Sequence, residues 1–151
     1  MIDYIKTIRK KVGHDRIIIV GTGIIIYKDN KVLLQKRRDD STWGFHGGSV
    51  DIGEKVEDAA KRELFEETGL TANNLEFIGI SSGEQMMHTY PNGDKVYIIG
   101  ITYKCNDFSG EPLDSSDEVL ELKWFDIKEL PENILKSNRE VLENFTKTLL
   151  H

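Results

Sequence analysis

Cysteine and long hydrophobic runs are scarce in this sequence. Cys105 is the one cysteine among 151 residues, so no disulfide can form within the chain, and a reducing, cytoplasmic location is expected. The longest apolar runs, 17–20 and 24–27, are far shorter than the ~20 residues that a membrane-spanning helix needs. Charges are spread through the amino terminus, which argues against a secretory signal. We therefore expect neither a membrane protein nor a secreted disulfide scaffold.

Positive charge is also in short supply. Lysine and arginine number 20 against 26 aspartates and glutamates, which leaves a formal net charge of −6 at pH 7. That balance argues against binding to a nucleic-acid backbone. Hydrophobic residues make up 38% of the chain, so a core of ordinary size is expected. We predict one globular domain spanning residues 1–151, without linker or repeat.

Hydrophobic periodicity predicts a mixed α/β domain. Spacings of three and four residues predict a helix in the N-terminal segment 1–13, with Asp3 as its N-cap. A second helical pattern covers 55–68 and ends at Gly69, and a third covers 133–150. Isoleucines on both faces of the first strand predict that it is covered on both sides. The predicted strands are 16–27, 31–37, 75–82, 85–91, 95–105 and 119–126, with a hairpin turn at 91–94.

The second helix carries acidic residues where a solvated helix would not. With about 100° of rotation per residue, Glu67 lies about 40° and Glu66 about 60° from Glu63 around the helix. Ala60 and Leu64 share this side, so the three carboxylates lie on or beside the face that should be buried. Burial of ionised carboxylates is costly unless they are paired or bind a metal. The pattern therefore indicates a functional cluster.

A hard divalent cation would relieve that cost. Mg²⁺ and Mn²⁺ take oxygen ligands, and Mg²⁺ combines a few carboxylates with waters and substrate phosphate oxygens. The alternative is an ordinary acidic surface helix in which Arg62 pairs with Glu66. Gly47 and Gly48 favour the metal because they permit close backbone approach, and Glu54 suits the positive end of the helix dipole. The segment predicts metal-assisted phosphoryl chemistry.

Residues 48–70 resemble the Nudix box, written G-x5-E-x7-R-E-U-x-E-E-x-G-U with U aliphatic. A chance match is expected on the order of once in 10⁹ windows. The matching residues are Gly48, Glu54, Arg62, Glu63, Leu64, Glu66, Glu67, Gly69 and Leu70. The strand pair before the box and segment 122–131 also look like this family, so the resemblance extends over most of the chain.

The resemblance implies an α/β (α+β) fold, the Nudix-type α/β/α sandwich with a mixed central sheet. It also implies an Mg²⁺ or Mn²⁺ cofactor and an Arg62 that orients the carboxylates by ion pairing. The metal ligands so implied are Glu63, Glu66 and Glu67, with the Gly47 carbonyl and Glu54 as further candidates. The implied reaction is metal-dependent hydrolysis of a diphosphate linkage in a nucleoside diphosphate derivative.

The general base and the substrate contacts lie outside the clearest part of the pattern. Acids that follow the box in the later loops and strand are Glu111, Asp114, Asp117, Glu118 and Glu121. We favour Glu118 and Glu121 as bases because their segment returns to the sheet. The candidate substrate-binding residues are Arg37, Phe45, His46 and Tyr90. His46 stands where many family members have proline, so it is either a phosphate contact or pH-sensitive group, or a substitution that the loop tolerates.

Several alternatives remain open at the level of sequence. A nucleotide sugar or ADP-ribose is favoured over a (d)NTP, a dinucleoside polyphosphate or a capped RNA end. A catalytically silent nucleotide- or metal-binding sensor of the same fold is the alternative function, although every acid of the box is present. Isoprenoid diphosphate isomerisation would need a cysteine in a recognisable context, which Cys105 does not have. The resemblance also makes a homodimer plausible.

Overall fold

The computed structural model describes residues 3–113 and 115–150, so Asp114 and the chain ends lie outside the description. In chain order the elements are α1 (Tyr4–Val12), β1 (Ile17–Lys28), β2 (Lys31–Arg37), β3 (Trp43–Gly44), β4 (His46–Ser49), α2 (Val56–Thr68), β5 (Thr71–Ala72), β6 (Glu76–Ser81), a 3₁₀ turn (Glu84–Met86), β7 (Met87–Thr89), β8 (Lys95–Cys105), β9 (Phe108–Ser109), β10 (Val119–Asp126) and α3 (Lys136–Leu149). No helix within these ranges has both the length and the apolar character needed to cross a membrane.

The central sheet is mixed, as predicted, and is built around the long strand β1. The strands run in the order β10-β2-β1-β8-β6. β1 pairs in parallel with β8 from Ile17 to Ile26 and antiparallel with β2 near its end. The short strand β4 pairs antiparallel with residues 21–24 of β1, so it extends the sheet where β2 leaves it. This junction carries the start of the Nudix box.

Helices cover both faces of the sheet and produce two hydrophobic layers. On one face, Ala60 and Leu64 of α2 pack with Ile24 of β1 and Tyr103 of β8. On the other, residues of α3 pack against β1, β2 and the segment around Trp43. Alternate residues of β1 enter opposite layers, because successive side chains of a strand point to opposite faces. The α/β/α sandwich expected from the resemblance is therefore the observed fold.

The predicted helix ends match specific capping contacts. The Asp3 carboxylate accepts a hydrogen bond from the Lys6 amide at 3.1 Å, which caps α1. Gly69 ends α2 in the left-handed region at φ 79°, a conformation that glycine adopts without steric cost. The antiparallel pairing of β7 and β8 across residues 90–94 is the predicted hairpin.

Three sequence-based expectations need correction. β1 is covered on both sides only in its second half, since Ile18 is 66% exposed. Segment 85–91 divides into a 3₁₀ turn and the three-residue strand β7, while α3 begins at Lys136 rather than at residue 133. The four short strands β3, β4, β5 and β9 were not predicted, because two to four residues carry too little periodicity to identify a strand.

Candidate active site

A cleft of about 750 Å³ opens where α2, the β4 loop and the end of β2 meet. We call it the box cleft. The core face of α2 buries Ala59, Ala60 and Leu64, and this packing places the acidic residues of the next turns at the edge of the sheet. The residues that line the cleft are Asp3, Ile5, Gln35, Arg37, Arg38, Asp39, Gly47, Gly48, Ser49, Asp51, Arg62, Glu63, Glu66, Glu67, Tyr90, Asp117 and Glu118.

Arg62 holds the acids of the box together. Its Nε and Nη2 donate to the two carboxylate oxygens of Glu54 at 2.7 and 3.0 Å, and its Nη1 donates to Glu63 at 2.9 Å. The Glu66 carboxylate lies farther away, at 3.5 Å, and is 56% exposed. The ordinary surface pair between Arg62 and Glu66 is therefore the weakest of these contacts. Arg62 instead fixes Glu54 and Glu63, as the resemblance implied.

These contacts shift the pKa values of the partners. The Arg62 hydrogen bonds hold the pKa of Glu54 below its usual range and raise the pKa of the guanidinium. Glu54 also accepts from the Asp51 amide at 3.1 Å, so its carboxylate closes the loop before α2 rather than capping the helix. Glu63 differs, because burial raises its pKa although Arg62 opposes the shift.

Glu67 is the most deeply buried of the three box glutamates that follow Arg62. It is 6% exposed, and its carboxylate accepts a hydrogen bond from the Gly47 amide at 2.8 Å. Burial raises its pKa to about 8, and the neighbouring Glu63 charge adds to the shift. A buried carboxylate with one strong hydrogen bond and a nearby like charge lacks electrostatic compensation. A cation in the box cleft would supply it.

The two glycines before the box leave room for these carboxylates. A Cβ on Gly48 would lie 2.5 Å from the carboxyl carbon of Glu63, so the Glu63 carboxylate would have to move away from the loop. A Cβ on Gly47 would overlap the Thr22 carbonyl oxygen of β1. Gly47 therefore requires glycine so that β1 can approach the loop, and Gly48 leaves the space that the Glu63 carboxylate occupies.

The donor set fits a hard divalent cation in its chemistry. It consists of carboxylate oxygens and loop carbonyls, which Mg²⁺ and Mn²⁺ prefer, and includes no thiolate or imidazole. Within residues 3–113 and 115–150, no three acidic, cysteine or histidine side chains already stand at metal-ligand spacing. Glu63 is turned to Arg62 and Glu67 to the Gly47 amide. Metal binding would thus require these glutamates to exchange a hydrogen bond for the cation.

The wall of the cleft opposite α2 carries Arg37 and Tyr90. The Arg37 guanidinium donates to both carboxylate oxygens of Asp39 at 3.1 and 2.7 Å, and Asp40 lies 3.6 Å away. Burial opposes its charge, but the hydrogen bond and the charges of Asp39 and Asp40 raise its pKa. Burial raises the pKa of the Tyr90 hydroxyl. The structure thus brings these two predicted substrate contacts to the same cleft as the box.

His46 does not lie where the sequence-based prediction put it. Its side chain is completely buried, with Nδ1 at 2.8 Å from Gln35 Oε1 and Nε2 at 2.9 Å from the Leu33 carbonyl. Burial lowers its pKa to about 4, so the ring is neutral at physiological pH. This corrects the prediction of a phosphate contact. Instead His46 holds Gln35, whose amide lies 3.5 Å from Glu67.

The remaining predicted residues divide between the cleft and its surroundings. Glu118 lines the box cleft, and its charge contributes to the raised pKa values of Glu63 and Glu67. Glu121 lies on β10 opposite Lys36 and is not a lining residue, which corrects its prediction as a base. The Phe45 ring is buried in the layer under α3 and faces Gly23.

Sequence reasoning missed several residues of the cleft. Gln35 and Arg38 belong to or follow β2, and their pattern is that of an ordinary strand end. Asp3 and Ile5 belong to a helix that looked like a solvated amphipathic element. No local signal identifies these side chains, because they reach the cleft only through pairing of distant strands.

Comparison with known proteins identifies the family of this chain. The family model described as NUDIX domain matches residues 18–145. The chain belongs to the NUDIX family. It is 37% identical over 111 residues to an ADP-ribose pyrophosphatase of Methanocaldococcus jannaschii, a match that covers 71% of this chain and 61% of that protein. The match thus spans less than two thirds of that relative's length.

Another relative, named for a different substrate class, matches at a similar level of identity. An oxidized purine nucleoside triphosphate hydrolase of Danio rerio is 33% identical over 113 residues, covering 73% of this chain and 67% of that protein. The crystal structure of a MutT NUDIX hydrolase from Burkholderia pseudomallei superposes with a TM-score of 0.72 at 31% identity, over 84% of this chain and 97% of that one. Family membership therefore leaves the substrate open.

Proposed function

We propose that this Nudix protein is a metal-dependent pyrophosphohydrolase that cleaves the diphosphate linkage of a nucleoside diphosphate derivative. The observation that carries the proposal is the meeting of Glu63, Glu66 and Glu67 with the glycine loop in a cleft that also contains Arg37. Acids alone would repel a diphosphate, whereas acids that hold a cation beside an arginine can bind one.

Three glutamates would hold the metal in this proposal. Glu63, Glu66 and Glu67 supply carboxylate oxygens, with the Gly47 carbonyl as a further candidate. A bound Mg²⁺ or Mn²⁺ would neutralise the diphosphate and lower the pKa of a water molecule. Arg62 acts as a positioning residue, because it keeps Glu63 in place and Glu54 closes the loop under it. Glu54 thereby supports the site without contacting substrate.

Glu118 is our candidate for the general base. It lies across the cleft from α2 and is exposed, so a water molecule can reach its carboxylate. It would accept a proton from the water that attacks one phosphorus atom in line. The new P–O bond forms as the bond to the bridging oxygen breaks. Arg37 would stabilise the charge on a phosphate by exchanging its present hydrogen bonds to Asp39. The products are two phosphate monoesters.

Among substrates we favour a nucleotide sugar or ADP-ribose over a (d)NTP, a dinucleoside polyphosphate or a capped RNA end. The ADP-ribose pyrophosphatase relative supports this order, while the net charge of −6 weighs against RNA. A cytoplasmic location and a homodimer complete the proposal. Light scattering on the purified protein tests the second of these directly.

The proposal is tested by product analysis with Mg²⁺ and Mn²⁺ over that panel of compounds, using E66Q as the inactive variant. Glu66 is the most exposed of the three ligand candidates, so the substitution should leave folding intact. We expect kcat to fall by about 10²–10³-fold. E143Q is the matched control, because Glu143 also lies four residues after an arginine on an exposed helix face.

The outcomes separate the alternatives. Loss of turnover in E66Q with full activity in E143Q supports the hydrolase. Mn²⁺ binding by the wild type without turnover of any compound would instead favour the silent sensor domain. Equal activity in E66Q and the wild type would remove Glu66 from the metal site.

A further inference from the structure

Three cavities, the box cleft among them, meet at Ser49 and Tyr90. A smaller one, of about 130 Å³, shares Arg37, Gly47 and Tyr90 with the cleft and continues toward Phe45 and α3. A third, of about 410 Å³, lies between α1 and the turn at 90–94 and shares Ile5, Asp39, Ser49 and Tyr90 with the cleft. We call this third cavity the α1 pocket. The carboxylates of Glu63, Glu66 and Glu67 line the box cleft and neither of the two smaller cavities.

The α1 pocket depends on a helix outside the family match. α1 spans Tyr4–Val12, whereas the NUDIX model matches residues 18–145. The Tyr4 amide donates to Asp51 in the box loop at 3.3 Å, so the start of the helix is tied to the catalytic segment. Ile5 then stands at the junction of the pocket and the cleft.

Arg9 anchors the other end of α1. Its guanidinium donates to the carbonyls of Gly13, Asp15 and Lys95 at 3.0, 2.7 and 2.6 Å, and its side chain is only 12% exposed. Arg9 is the one cation among the described residues that line the α1 pocket. Because three carbonyls and the nearby Asp94 already satisfy it, the pocket offers little attraction to a further phosphate.

The rest of the lining is apolar on one side and rich in acceptors on the other. Ile5, Ile19 and Val96 provide apolar surface, and the Tyr90 ring stands at the entrance. The carboxylates of Asp39 and Asp94 line the same space. Each already has side-chain hydrogen-bond partners, and its remaining lone pairs can accept from a ligand. A sugar ring fits this combination, since it presents an apolar face and several hydroxyl donors. The terminal phosphate of a nucleoside triphosphate fits it less well, because Arg9, the one cation among the described residues of the pocket, already donates to three carbonyls.

We propose that the α1 pocket binds the sugar of a nucleoside diphosphate sugar, on the far side of the cleaved linkage from the nucleoside, and that Ile5 determines this specificity. The inference rests on the proposed hydrolysis and names its substrate class. The diphosphate lies at the box, the nucleoside extends toward Phe45 and the sugar extends under α1. Water cleaves the P–O–P linkage into a nucleoside monophosphate and a sugar phosphate.

The test compares two substrates that share a base. The base is the one that the wild type uses most efficiently. We assay the nucleoside diphosphate sugar and the nucleoside triphosphate of that base with the wild type, I5W and I5A. I5W should raise KM for the sugar substrate by about tenfold, and by at least about fivefold more than it raises KM for the triphosphate, because Ile5 also borders the box cleft. I5A, which cannot overfill the pocket, should raise the sugar KM by a few-fold. K6W is the matched control, because Lys6 is exposed on the same helix and does not line either cavity.

Product inhibition gives a readout that a loss of folding would not reproduce. Inhibition by the free sugar phosphate should weaken in I5W, while inhibition by the nucleoside monophosphate should stay unchanged. Preference of the wild type for the triphosphate, or equal KM changes for both substrates, would overturn the inference and leave the hydrolase standing. Turnover of no compound by the wild type would overturn the proposed function itself.

Discussion

Two helices contribute side chains to the box cleft, and they are held by opposite means. α2 buries Ala59, Ala60, Leu64, Glu67 and Thr68, so its position is set by the core. α1 has no buried residue along its described length, and capping and hydrogen bonds from Tyr4 and Arg9 hold it at the surface. The same cleft therefore has one wall fixed by packing and one fixed by polar contacts.

The difference corresponds to the demands placed on each wall. Carboxylates that share a metal must keep their positions to within about 0.5 Å, and a helix seated in a close-packed core provides that precision. A wall that selects a neutral sugar needs only the right shape. A surface helix is sufficient for this.

The largest expected effect on stability comes from removing the core packing of α2. Leu64 is fully buried beside Ile24 and Ala60, so L64A should lower the free energy of unfolding by about 2–5 kcal/mol. I8A on α1 should cost less than about 1 kcal/mol, because Ile8 is only half-buried. Urea denaturation of both variants measures the contrast. Equal losses would show that α1 is part of the core after all.

His46 should make the folded protein sensitive to acid. Its pKa is about 4 in the folded state against 6.5 in the unfolded chain, so the unfolded state binds the proton more strongly. The free energy of unfolding should therefore fall as pH drops from 6.5, by roughly 3 kcal/mol at pH 4. Denaturation curves of H46Q should lose this part of the pH dependence, whereas H14Q, at an exposed histidine, should retain it. Parallel pH profiles for H46Q and the wild type would contradict the assignment.

Removal of Arg62 should leave Glu54 and Glu63 without fixed positions while α2 stays packed on the core. R62A frees Glu54 and Glu63 from their ion pairs, and we expect kcat/KM to fall by about 10- to 100-fold with weaker Mn²⁺ binding. R139A serves as the control, since Arg139 makes a similar pair with Glu143 away from the cleft. Steady-state kinetics and Mn²⁺ titration measure the effect. Unchanged Mn²⁺ affinity in R62A would mean that the ligands do not depend on Arg62.

The smallest expected effect on global stability comes from R9A. Loss of the carbonyl contacts should accelerate amide exchange within α1, while the free energy of unfolding changes by less than about 1 kcal/mol. R16A is the comparison, because Arg16 also donates to a backbone carbonyl but lies outside the helix. Hydrogen-exchange mass spectrometry measures the amide exchange rates of α1 and α2 separately. Faster exchange in α2 as well would show that the two walls are coupled.

Much of the side of the box cleft that α2 forms could be predicted from sequence. The rotation between Glu63, Glu66 and Glu67 follows from their spacing in a helix, and the same spacing places Leu64 in the core. The end of α2 at Gly69 and the turn before β8 also follow from local residue types. These features depend on neighbours a few residues away, so the chain specifies them before it folds.

Contacts between distant segments of the chain could not be predicted in this way. His46 has the same local sequence whether it faces the cleft or the interior, and only the pairing of β4 with β1 buries it against Gln35. Likewise α1 reaches the box loop because β1 and β8 run side by side and bring residues 90–94 under it. The sequence by itself determined a helix with three acids on one side and the glycines that admit them. Tertiary structure decided which carboxylate is buried, which amide lies beside it and what lies across the cleft, because those contacts join residues 30 to 90 positions apart.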